Sequence, residues 1–161
     1  MKIKNKMKTN TLMKWLTIAF FAMVIFNLGN NYLKKSNSES MVGFSEMLKK
    51  SNAMDSIRQN ISDLQRDLPQ KFTNGNSLDE IKFDEKNKQV VYSFTYDNLD
   101  SSSKAEISNF QIEMNQQMIN FWKNNESKFA FVDAGVSNKY LIFDKNKKEV
   151  FNFMIKPEDM K

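Results

Sequence analysis

The 161-residue chain carries 24 Lys and Arg against 19 Asp and Glu, and it has neither His nor Cys. That inventory removes the commonest general base, the usual transition-metal ligands, the thiol nucleophile and any disulfide framework, so a folded domain here must rest on a packed core. The basic excess is local: residues 1–35 hold seven lysines and no acid, leaving 17 basic residues against all 19 acids in 36–161. A slightly acidic domain lacks the electrostatic footprint that phosphate backbones require, so the sequence excludes a nucleic-acid partner.

Residues 1–14 form a basic leader with Lys2, Lys4, Lys6, Lys8 and Lys14. The apolar run that follows is read as a transmembrane signal anchor over residues 15–32, its lipid-facing residues being Trp15, Leu16, Ile18, Phe20, Phe21, Val24, Ile25 and Phe26. A spanning helix needs roughly 20 apolar residues. The 19 uncharged residues between Lys14 and Lys34 suffice if Asn27, Asn30 and Asn31 sit at headgroup depth, with Tyr32 at the interface and Lys34 and Lys35 reaching outward. The same run also fits the core of a cleaved signal peptide, which would release a secreted domain. The lysine bias keeps the N-terminus in the cytoplasm, giving a single-pass protein of the bacterial inner membrane with its C-terminal domain in the periplasm.

Residues 33–40 are a polar linker, and 41–161 are expected to form one α+β extracytoplasmic domain. Met47, Met54, Ile57, Ile61, Leu64 and Leu68 are spaced by seven, then by three and four, until Pro69 stops the helix. This stripe fits a helix laid on the domain's own sheet; it also fits a heptad seam, which would make residues 47–68 a homodimer interface. Residues 69–78 read as a loop. Ile81 and Phe83, a turn over Glu85 to Lys88, and then Val90, Tyr92, Phe94 and Tyr96 give a β-hairpin. Ser103 with Glu106 is a capping box for a second helix from about Lys104 to Asn124, striped with Ile107, Phe110, Met114, Met118, Phe121 and Trp122. A strand through Phe129 and Phe131, broken at Gly135, is expected next. A second hairpin then runs from Tyr140 to Phe143 and returns from Val150 to Ile155, and Pro157 opens a charged tail.

Phe83, Asp84, Lys88 and Val90 match Phe143, Asp144, Lys148 and Val150 at an offset of sixty residues. The pattern predicts helix, hairpin, helix, hairpin as a repeated unit. It predicts an antiparallel sheet of four or five strands with both helices on one face, burying Ile57, Ile61, Leu64, Phe94, Ile107, Phe110, Met114, Phe131, Phe143 and Phe153.

No constellation suggests catalysis, a cofactor or a metal. The carboxylate pairs Asp79-Glu80, Asp84-Glu85 and Glu158-Asp159 are sequence neighbours that a strand would point to opposite faces, and the acids of Asp144 to Glu149 enclose lysines that would repel a cation. The expectation is a non-enzymatic, membrane-tethered interaction module that docks a protein of the cell envelope, through a sheet edge or the second hairpin with Ser137, Tyr140 and Asn152 as contact residues. Two alternatives stay open: a binder of a small apolar ligand between helix and sheet, and an immunity-type inhibitor of an exported toxin.

Overall fold

A computed structural model describes residues 42–72, 75–99, 102–126 and 128–161, with side chains described from Ser51 onward. The leader, the anchor residues 15–32 and the linker 33–40 lie outside the described residues. Among the described residues no helix is long and apolar enough to cross a membrane.

The stripe of the first helix does what its spacing implies. Helix α1 (Val42–Gln65) buries Ala53, Ile57 and Ile61 and half-buries Met54 and Leu64 within the protein's own core, so these positions of the heptad seam are already occupied. After a short strand β1 (Gln70–Lys71), inside what reads as a loop, come β2 (Ser77–Asp84) and β3 (Gln89–Tyr96), the expected hairpin. Helix α2 spans Lys104–Asn124. Its capping box forms as expected: the Glu106 amide donates to Ser103 Oγ at 3.2 Å, and the Ser103 amide donates to the Glu106 carboxylate at 2.8 Å.

The strand expected at Phe129 and Phe131 is instead a helix, α3 (Lys128–Ala134). Ala130, Phe131 and Ala134 are its buried residues, spaced as one helical face, and two aromatics two apart mimic strand alternation over so short a segment. Gly135 ends this helix rather than a strand. Its φ of +67° lets its own amide reach the Val132 carbonyl at 3.2 Å while the Val136 amide reaches that of Phe131 at 2.9 Å, the paired bonds of a Schellman cap. Helix α3 packs beside α1, and the small buried residues Ala53 and Ser56 of one and Ala130 and Ala134 of the other let the two backbones approach closely.

The chain then enters β4 (Ser137–Asp144) and β5 (Glu149–Ile155), and a 3-10 turn (Pro157–Met160) tucks Met160 fully into the core beside α2 and α3. The sheet order is β1-β2-β3-β4-β5. It is not wholly antiparallel: β3 and β4 pair in parallel from Gln89↔Ser137 to Tyr96↔Asp144. The intervening α2 and α3 carry the chain back along the sheet, so β4 starts where β3 started.

The three described α-helices pack on one face. On that face Ile81, Tyr92, Tyr140 and Phe153 lie in one register row. Tyr140 stacks between Tyr92 and Phe153 at ring distances of 5.1 and 4.8 Å. Trp122 donates its indole N–H to the Tyr140 hydroxyl at 3.0 Å and meets Phe131 edge-on at 4.8 Å, joining α2, α3 and β4. Burial pushes the pKa of the Tyr140 hydroxyl up despite the Trp122 bond, and burial likewise raises that of Tyr92, so both stay neutral.

The core differs from expectation in β4. Phe143 lies on the opposite face, and Tyr140 and Ile142 fill the core positions. Four consecutive apolar residues from Tyr140 to Phe143 carry no period-two signal from which to read a phase. Strand residues sixty apart tend to face opposite ways: Ile81, Phe83 and Phe94 face the core while Leu141, Phe143 and Met154 lie outside it, although Val90 and Val150 both pack on the core.

Candidate functional site

Strand alternation dictates the composition of the sheet's other face. With Tyr92, Phe94, Tyr140, Ile142, Phe151 and Phe153 turned toward the helices, the intervening residues must turn away. The register aligns Lys82, Val91, Lys139 and Met154 in one row, and Glu80, Ser93, Leu141 and Asn152 in the next. Thr95, Phe143 and Glu149 continue beyond them. Val91, Leu141, Phe143 and Met154 are partly exposed, and none joins the core cluster.

Charge on this face is mostly balanced. Lys82 pairs with Glu80 at 2.7 Å. At the far end Asp79, the extra residue of a β-bulge in β2, accepts from the Ser77 hydroxyl at 2.6 Å, the Thr95 hydroxyl at 2.5 Å and the Lys147 ammonium at 2.9 Å. Lys147 also donates to Thr95 Oγ1 at 2.9 Å, and it reaches there from a turn residue with φ of +62°. Partial burial raises the Asp79 pKa, but the two hydroxyls and the ammonium outweigh that and hold it below the usual carboxylate range. Lys139 differs: among the described residues it has no acidic partner.

Both sides of the sheet are guarded, at β2 past the two-residue β1 and at β5. Gln65 of α1 donates Nε2–H to the Ile81 carbonyl of β2 at 2.7 Å, and Gln111 of α2 donates to the Asn152 carbonyl of β5 at 3.2 Å. A strand added beside β5 would have to displace Gln111, and one added beside β2 past the short β1 would have to displace Gln65, so each side invites pairing less than a bare edge would.

Two of the three contact residues expected from sequence lie on this face. Ser137 is partly exposed at its corner, with its amide bonded to the Lys88 carbonyl at 3.0 Å. Asn152 is exposed and donates to Glu149 at 2.6 Å. Tyr140 has no exposed surface, because the alternation that turns Lys139 and Leu141 outward turns it into the core. Lys139 and its apolar neighbours were missed; a lysine one residue before an apolar run is the signal that would have found them. Between helices and sheet, where an apolar ligand was considered, Met114, Met118, Phe110 and Phe151 pack on one another as core. Among the described residues no three acids gather as a cation cage. Asp84 and Asp144 instead accept the amides of their own turns, from Asn87 at 3.0 Å and from Asn146 and Lys148 at 2.8 and 2.9 Å.

No protein-family model matches the chain, and no curated protein sequence does. Among solved structures it resembles the pilotin EpsS of the Vibrio vulnificus type 2 secretion system, with a TM-score of 0.51 at 10% identity, over 70% of this chain and 96% of that one. The pilotin AspS of the Vibrio cholerae type II secretion system gives a TM-score of 0.48 at 14% identity, over the same shares. The likeness is one of fold.

Proposed function

We infer that this chain is a non-enzymatic accessory module of the bacterial envelope that docks a protein partner. The observation that carries the reading is the fold shared with EpsS, which spans nearly all of that secretion-system pilotin. Two features of the chain support it. The acids that the sequence offers for chemistry are committed to turns, bulges and ion pairs, and the described helices leave one face of the sheet uncovered. In this reading residues 15–32 tether the domain to the inner membrane with the N-terminus in the cytoplasm, and a lysine-rich leader before an apolar run supports that topology.

Photo-crosslinking in cells from residues spread over the domain of the full chain, followed by mass spectrometry of the membrane fraction, tests the docking reading. A discrete envelope protein captured at a contiguous set of positions is expected. Capture of nothing from any position would overturn it. Protease protection in spheroplasts tests the topology, the domain being digested from the periplasmic side.

A further inference from the structure

We propose that the docking surface is the helix-free face of the sheet, and that its occupant is a protein segment that sets apolar side chains on Val91, Leu141, Phe143 and Met154 and a carboxylate on Lys139. This rests on the docking reading and names the surface and the partner chemistry.

The helices take one face of the sheet, and strands spaced about 4.8 Å apart bring these four side chains from β3, β4 and β5 together on the other. Charge then selects the partner. Glu80 balances Lys82, Asp79 balances Lys147, and Glu149, two register rows away, accepts from Asn152, which leaves Lys139 between Val91 and Met154 with no acidic partner among the described residues. A lysine flanked across the strands by apolar residues gains most from a carboxylate that arrives together with apolar cover, because removing water strengthens the pair and mismatched charges are rejected. Gln65 holds a carbonyl of β2 past the short β1 and Gln111 holds one of β5, so recognition falls to side chains rather than to strand addition. The other exposed apolar residues make no such surface. Among the described residues Ile112 and Phe129 are single exposed side chains on different helices, and the Lys128 ammonium lies over the Phe129 ring at 5.6 Å. One unbalanced lysine is also too little for an anionic lipid surface, which is recognised by clusters of basic residues.

The test uses the purified full chain and fluorescein-labelled peptides that share one Leu- and Phe-containing framework, with Glu, Gln or Lys at its centre. Affinity is expected to fall from Glu to Gln to Lys by about threefold to fivefold per step, the range of a partly exposed ion pair. Lys139→Gln should abolish the preference, Lys139→Glu should invert it and Lys139→Arg should keep it, each with an unchanged circular dichroism spectrum. A photo-crosslinker at Leu141 should capture the Glu peptide and one at Ile112 should not. Equal affinity for all three peptides, no binding of any, an order that Lys139→Glu leaves unchanged, or capture at Ile112 alone would overturn the proposal. So would charge-dependent binding to phosphatidylglycerol vesicles in place of peptide, or a self-dimer that Lys139→Glu breaks. The two readings fail separately: a partner captured in cells from the helix side keeps the docking function and sinks this surface.

Discussion

The first hairpin, Ser77 to Tyr96, and the second, Ser137 to Ile155, have strands of similar length, turn aspartates at Asp84 and Asp144, and a positive-φ lysine in each turn, at Lys88 and Lys147. Yet strand residues sixty apart such as Ile81 and Leu141, Phe83 and Phe143, or Phe94 and Met154 look in opposite directions. Because β3 and β4 are parallel, β2 and β4 run in opposite directions, and the second hairpin is the first turned over about an axis in the sheet plane. For both hairpins to feed one core, the apolar phase must shift by one residue, and it does: Ile81, Tyr92 and Phe94 point inward in the first, but Tyr140, Ile142, Phe151 and Phe153 in the second. Matching residues therefore reflect shared turn chemistry rather than shared packing. A period of two tells which residues alternate, and topology decides which set is buried.

The sharpest way to break this comparison is a pair of identical substitutions sixty residues apart. Ile81→Asp buries an unpaired charge and should unfold the protein, at a cost of more than about 4 kcal/mol. Leu141→Asp, on the open face, should cost under about 1 kcal/mol in urea titrations followed by circular dichroism. Equal effects would refute the inverted phase. Trp122→Phe comes next. It keeps most of the packing but removes the buried indole N–H bond to the Tyr140 hydroxyl, and should cost about 1–3 kcal/mol, with unfolding monitored by far-ultraviolet circular dichroism.

The elements between the hairpins give smaller effects. Gly135→Ala places a Cβ in open space but at a left-handed φ, so its cost, about 1–2 kcal/mol by denaturant titration, comes from backbone conformation alone. Ser103→Ala removes one half of the capping box and should cost about 1 kcal/mol. The ion pair that laces the hairpins together carries a pH signature. The Asp79 pKa is lowered in the folded state, so its contribution is fully present above the unfolded aspartate value and is lost as pH falls through the folded one. The urea midpoint of the native protein should thus decline more steeply on acidification below about pH 4 than that of Asp79→Asn. Parallel curves would show that Asp79 does not link the hairpins energetically.

Sequence revealed the parts of the fold that local chemistry determines. The capping box at Ser103 and Glu106 placed the start of α2, the stripe from Met54 to Leu64 placed α1, and polar turns placed both hairpins. It failed where the deciding interaction is distant. Phe129 and Phe131 mimic a strand until α1 is seen beside them, and the run from Tyr140 to Phe143 has no phase until its parallel partner β3 supplies one. Two residues of the candidate face, Ser137 and Asn152, were legible because they sit at the polar margins of the second hairpin. Lys139 was not, since its significance lies in the acids that Lys82 and Lys147 have and it lacks.

Trp122 gives the protein a built-in optical reporter. Among the described residues it is the sole tryptophan; it is fully buried and lies against Tyr140 and Phe131. Its emission is therefore expected to be blue-shifted in the native state and to move red when α2 and α3 detach from β4. That change would report the docking of the crossover helices onto the second hairpin, while the first hairpin contributes no indole signal of its own.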